Sequence, residues 1–349
     1  MSESHPYKSQ PSKAFWLPTV AQRHHLDIPE WYQKKWDISN SRIAAAGSCF
    51  AQHVGRYLRR SGFNFVDVEP PPSFLRQDRW LEYGYNMYSA RYGNVYSARQ
   101  LLQLLKRALG EFSPREEFWL YKSGVVDPFR PTIEPEPFES VDEAIESRKS
   151  HLNAVVQLFE QTDVLVFTLG LTEAWISKED GSVFPVCPGV HGGAYVSSKY
   201  DFINFSYPQV RNDLIEFMRR ARSINKNMRF IYTVSPVPLM ATATDKQVVV
   251  ATTYSKSVLR SVAGFLAEQY GFVDYFPSYE IVSSPPVRGS FYAPDMRAVV
   301  EAGVEHVMSV FFAEHEPPKN PKALTVESQM DEEDVMCDEE ILAVFGKKR

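Results

Sequence analysis

Ser48 stands between an apolar run, Ile43-Ala44-Ala45-Ala46-Gly47, and the stretch Cys49-Phe50-Ala51. The run has strand length, and Phe50, Val54, Tyr57 and Leu58 then recur on one face of a helix. Strand, tight turn and helix is the geometry of a nucleophile turn. The glycine lets the chain reverse, the next side chain stands at the carboxyl edge of a sheet, and the first helical N–H groups point at whatever binds there. Ser48 is thus a candidate nucleophile, and its own backbone N–H a candidate oxyanion donor. The same letters also read as an ordinary helix start, with the serine oxygen capping an N–H two or three residues on. Cys49 is a second candidate nucleophile, although one position further its thiol is placed to pack between helix and sheet.

Gly47-Ser48-Cys49-Phe50-Ala51 spells the signature for which the GSCFA family is named. The chain resembles that family, which is itself similar to the SGNH (GDSL-like) hydrolases, over roughly residues 10 to 314. The resemblance implies serine-based ester chemistry on a three-layer α/β fold, a doubly wound parallel sheet of flavodoxin-like topology. It also implies site residues. The block whose glycine supplies an oxyanion N–H falls on Gly93-Asn94, with Gly84 as a competitor. The Gly-x-Asn-Asp block falls on Gly170-Leu171-Thr172-Glu173, so Thr172 stands where the amide donor would be. A threonine hydroxyl can donate one hydrogen bond in its place. Glu173 is left to contact substrate, orient a neighbour or cap a helix. The Asp-x-x-His block falls on Asp295 to Ala298, so the aspartate is matched and the histidine is not.

The general base therefore stays open. Asp295 is a lone carboxylate that could serve if burial raised its pKa. His191 lies in a glycine-rich loop, Gly189-Val190-His191-Gly192-Gly193, and could reach in from there. His53 lies one turn into the nucleophile helix and is aimed away. His306 lies within the last core helix and reads as lining its face.

The elements that would position these residues alternate along the chain. Apolar runs at Phe63–Val68, Val164–Leu169, Met228–Val234 and Phe272–Phe276 read as further strands. Ala98–Leu109, Val141–Gln161, Gln209–Ala221 and Gln247–Gln269 read as helices. Such alternation gives a parallel sheet with right-handed crossovers, whose loops meet at one carboxyl edge. The aromatic and amide-rich stretch Trp80–Tyr96 has no helical period and should cross that edge, offering Tyr85, Asn86 and Tyr92 to a substrate. Residues 110–140 read as an irregular insertion. Residues 1–40 read as an arm packed on a domain spanning 41–314, and 315–349 as a flexible acidic tail with a small apolar motif, Ile341–Phe345, that could dock on a partner.

With 44% hydrophobic residues the chain can bury a large core, and its net charge of −5 without a basic cluster argues against nucleic acid. No apolar run is long enough for a membrane helix, and the polar first residues do not read as a signal peptide. Three widely spaced cysteines predict neither a disulfide framework nor a metal site, and no cofactor is expected. These features fit a reducing cytoplasm, and the resemblance suggests a bacterial one.

Together the residues predict an esterase or acyl hydrolase acting on a small-molecule or glycan ester. One alternative is an O-acyltransferase with a sugar acceptor, for which the aromatic stretch would supply stacking faces. Another is a non-catalytic carbohydrate-binding module, favoured by Ala298 in place of histidine.

Overall fold

A computed structural model describes residues 5–318 and 338–346. In chain order the elements are β1 (Arg42–Gly47), α1 (Phe50–Arg60), β2 (Asn64–Phe65), α2 (Ala98–Ala108), β3 (Trp119–Tyr121), β4 (Gly124–Val126), α3 (Val141–Gln161) and β5 (Val164–Leu169). They continue with β6 (Glu173–Ser177), β7 (Val183–Phe184), β8 (Tyr200–Asn204), α4 (Tyr207–Ile224), β9 (Arg229–Val234), α5 (Val248–Gln269), β10 (Val273–Phe276), α6 (Ser278–Ser283), α7 (Glu301–Glu314) and α8 (Ala343–Gly346).

The central sheet has the order β2-β1-β5-β9-β10, and every neighbouring pair is parallel. Counted among its own five strands this is 2-1-3-4-5, the flavodoxin-like order. Strands buried on both faces must be apolar throughout, and β5, Val-Leu-Val-Phe-Thr-Leu, is buried at every position. Its side chains alternate between two cores. Leu165, Phe167 and Leu169 join the core covered by α2 to α5, whereas Val164 and Val166 join the one covered by α1 and α7. Three layers result, with helices on both faces of the sheet.

The chain order reverses between β1 and β5, and a crevice opens there at the strands' carboxyl ends, where ligands bind in such folds. Gly47 ends β1 at this point with φ +144°, and a Cβ on it would lie 2.4 Å from the Thr168 carbonyl of β5. Neither the backbone angle nor the space admits a side chain. Gly47→Ala should therefore cost on the order of 3 kcal/mol or more, read as a loss of folded protein in a denaturant titration.

Three features depart from the pattern read in the sequence. The strand expected over Phe63–Val68 shortens to Asn64–Phe65, although Val66 N–H still reaches the Ile43 carbonyl at 2.8 Å. The insertion at 110–140 contains the hairpin β3–β4. Beyond Gly170 the chain builds a second, antiparallel sheet of order β7-β6-β8.

The amino-terminal arm is anchored through Tyr32 and Ile38, both buried in the second core. Tyr32 OH donates to Asp274 Oδ2 at 2.8 Å and lies 2.9 Å from Nε2 of the buried His315. The tail expected from residue 315 onward falls mostly on 319–337, outside the described residues; its end, 338–346, is described and lies against the domain. No helix among the described residues is long and apolar enough to cross a membrane.

Two buried histidines make the fold acid-sensitive. Burial lowers the pKa of His53 from 6.5 to about 3, and that of His315 from 6.5 to about 4. An imidazole whose pKa is depressed on folding is neutral in the folded state while the unfolded chain takes up a proton. Its contribution is whole above pH 6.5 and is lost progressively as pH falls towards the folded value. Between pH 7 and 5 His53 should account for about 2 kcal/mol. His53→Leu should narrow the difference in melting temperature between those two pH values, measured on both proteins.

Candidate functional site

Ser48 sits at the end of β1, one residue before the N-cap of α1, and is 3% exposed. Its hydroxyl has no hydrogen-bond partner among the described residues. The helix N-cap is Cys49, and no side-chain capping bond is made. The capping alternative thus lacks its bond. The backbone N–H of Ser48 is committed: it donates to the Thr168 carbonyl at 3.1 Å, extending the β1–β5 ladder by one rung. That N–H is therefore not available to a ligand as an oxyanion donor.

Ser48 lines a small cleft of about 10 Å³ with Cys49, Tyr96, Gly170, Ser235 and Lys256, among others. Ser235 belongs to Ser235-Pro236-Val237-Pro238, which leaves the end of β9, and Val237 and Pro238 close the same cleft. Lys256 reaches in from the middle of α5, is 2% exposed, and its Nζ donates to the Gly170 carbonyl at 2.7 Å. Gly170 touches both groups. A Cβ on it would lie 2.9 Å from Ser48 Cβ and 3.1 Å from the Tyr96 carbonyl, so this position also needs the room of a glycine.

The Trp80–Tyr96 stretch does cross the sheet edge. Val95 N–H donates to the Gly47 carbonyl at 2.8 Å, and Gly170 N–H donates to the Tyr96 carbonyl at 2.9 Å. Gly93 lies in a turn just ahead, with φ +67°. Asn94 is buried and oriented by its neighbours: Tyr88 OH donates to its Oδ1 at 2.5 Å and Gln52 Nε2 at 3.3 Å. Its Nδ2 faces outward and donates at 2.9 Å to the carboxylate of Asp338. Thr132 Oγ1 donates to the same carboxylate at 2.5 Å, and Tyr96 OH lies 3.5 Å from it.

Beside the serine cleft, sharing Leu171 and Leu239 with it, is a largely apolar pocket of about 340 Å³. Trp175 and Phe184 of the second sheet line it, as do Val186, Phe202 and residues 241–243 of the β9–α5 loop. Glu173 holds that loop, accepting from Thr242 Oγ1 at 2.7 Å and from Ala243 N–H at 3.3 Å. Burial pushes the Glu173 carboxyl above its usual range.

The remaining sequence candidates are placed as follows. The Thr172 hydroxyl donates to Asn204 Oδ1 at 2.7 Å and its N–H to Ser255 Oγ at 2.9 Å, so both of its protons serve the fold and the oxyanion role is reassigned. Asp295 is exposed and caps its own turn, its Oδ1 accepting from Arg297 N–H and Ala298 N–H, each at 3.0 Å. Its neighbour Arg297 donates from Nε to the carbonyl of Pro238, a residue of the serine cleft, at 3.2 Å.

His191 stacks on Tyr121 of β3 at 4.4 Å, and its glycine-rich loop is pinned by Gly193 N–H donating to the Leu120 carbonyl at 2.8 Å. It lines neither the serine cleft nor the apolar pocket, though it lies close enough to Asp338 for their charges to interact. Tyr92 is buried in the first core with its hydroxyl donating to the Ala45 carbonyl. Tyr85 lies beneath the Arg91 guanidinium, and Asn86 accepts from Arg59. These three build the loop, and none of them lines either cavity. His306 packs against Phe291.

Lys256, Thr132 and Asp338 escaped the sequence reading. Lys256 did carry a signal. Leu259 and Ala263, three and seven residues on, share its helix face and are buried, so helical phase alone turns the lysine inward. Thr132 and Asp338 had none, lying in an irregular insertion and an acidic run.

No metal-binding cluster of His, Cys, Asp or Glu occurs among the described residues. No curated protein is significantly similar to the chain. A family model, that of the GSCFA family, matches residues 42–311, from the first residue of β1 into α7. The chain belongs to the GSCFA family.

Proposed function

We propose that this protein is a serine acyl hydrolase in which Ser48 is the nucleophile and Lys256 the base. The supporting observation is the buried Ser48 hydroxyl, which has no hydrogen-bond partner among the described residues and shares a cleft with a buried lysine. A buried hydroxyl left unpaired costs on the order of 1–3 kcal/mol, a strain that a reactive position explains and a cap does not.

The steps are those of covalent acyl transfer. Ser48 Oγ attacks the ester carbonyl, and its proton passes to the neutral amine of Lys256. A lysine serves as a base only in that form. The carbonyl oxygen becomes an oxyanion at the positive end of α1, and Asn94 Nδ2 becomes available to it once the Asp338 carboxylate leaves. The C–O bond to the alcohol breaks, and the alkoxide leaves with the proton that Lys256 returns. Water then attacks the acyl-enzyme, Lys256 takes its proton, and the acid departs as that proton restores Ser48. The lysine stem is flexible, so Nζ can move from the Gly170 carbonyl towards the serine when substrate enters.

The apolar pocket beside the cleft suits the acyl chain of the ester. A sugar acceptor gains less support, because Tyr88 and Tyr92 are packed inside and line neither cavity. Hydrolysis of p-nitrophenyl esters of increasing chain length tests the reading. Turnover that improves as the acyl chain lengthens to fill the pocket is expected, and no turnover of any ester would overturn it.

A further inference from the structure

The donors around Asn94 hold a carboxylate that belongs to the chain itself. Asp338 opens a 3-10 turn, Asp338–Leu342, followed by α8. Its side chain is 7% exposed and receives Asn94 Nδ2 at 2.9 Å and Thr132 Oγ1 at 2.5 Å, while its own N–H donates to Tyr96 OH at 3.1 Å. Asn94 is fixed from behind by Tyr88 and Gln52. The seat is therefore built by the domain and not by the segment that fills it. Further along, Leu342 and Phe345 form part of the wall of the apolar pocket, and Phe345 remains 62% exposed. One short segment thus places a carboxylate in the polar seat and apolar side chains at the pocket, with Leu342 roughly 6–8 Å and Phe345 roughly 10–14 Å further along its axis.

We propose that the groove beside Ser48 binds ligands in which a carboxylate is joined to an apolar chain, and that residues 338–346 occupy it in cis as a competitive resident. The ligand class is read from the occupant. Hydrogen bonding supports it: burial leaves the Asp338 carboxyl above its usual range, and the bonds from Thr132 and Asn94, with the nearby His191, offset part of that cost. The proposal rests on the Ser48 reading only for its effect on turnover; the binding does not depend on it.

The test uses the full chain carrying Asp338→Ala and Leu342→Asp, which should release the segment, beside the wild type. The probe is a fluorescein-labelled peptide of residues 338–346. The released protein should bind it at least 10-fold more tightly than the wild type, where the tethered copy competes. A peptide carrying D338N should bind the released protein at least 10-fold more weakly than the native peptide, and this arm requires no further change in the protein. Dodecanoate should displace the native peptide at a concentration at least 10-fold below that needed with dodecanol. Where ester turnover is present, the released variant should show a KM lowered about 5-fold. Equal peptide binding by both proteins, equal displacement by acid and alcohol, or a turnover lost on release would each overturn the proposal. A protein that hydrolyses no ester but passes the binding arms would refute the Ser48 reading alone.

Discussion

Ser48→Ala should lower the turnover of p-nitrophenyl esters by about 1,000-fold or more, the scale of loss when a covalent nucleophile is removed. The melting temperature should move by no more than about 2 °C, because the hydroxyl makes no hydrogen bond among the described residues whose loss would destabilise the fold. Removing an unpaired buried hydroxyl could even raise stability slightly. The combination is diagnostic. A serine that merely capped α1 would give the reverse pattern, with stability reduced by about 1 kcal/mol and turnover intact.

Lys256→Met should reduce kcat by about 100- to 10,000-fold, the range for losing a positioned general base. Methionine keeps most of the volume of the stem inside the α5–sheet interface. Asp295→Asn serves as the contrast. Its carboxylate is exposed and caps a turn, so the rate should stay within about 3-fold of the wild type. A 100-fold loss there would return the base to the Asp295 block.

Much of the fold could be read in the sequence because its strands are buried on both faces. A run such as Val164–Leu169 has one physical solution, and the helices between such runs fix the parallel order. The Gly47–Ser48 turn was legible for the same reason: a strand ending in glycine ahead of an amphipathic helix leaves the next residue at the sheet edge. The site's second half was not. Thr172 looked like a donor facing ligand, but β8 brings Asn204 within 2.7 Å of its hydroxyl. The sheet β7-β6-β8 that causes this is built from short strands whose pairing depends on partners distant in the chain. His191 looked like a residue on a free loop. Its glycines instead let the loop close on β3 and β4, where Gly193 packs on the Trp119 ring. Lys256 shows the opposite case, in which charge suggested solvent and helical phase held the answer.

The reactivity of Ser48 as a nucleophile is tested by treating the wild-type protein with a fluorophosphonate probe and locating the modification by peptide mass spectrometry. A single adduct on Ser48 is expected, formed more slowly in Lys256→Met. Absence of any adduct, or an adduct on another residue with Ser48 unmodified, would contradict it.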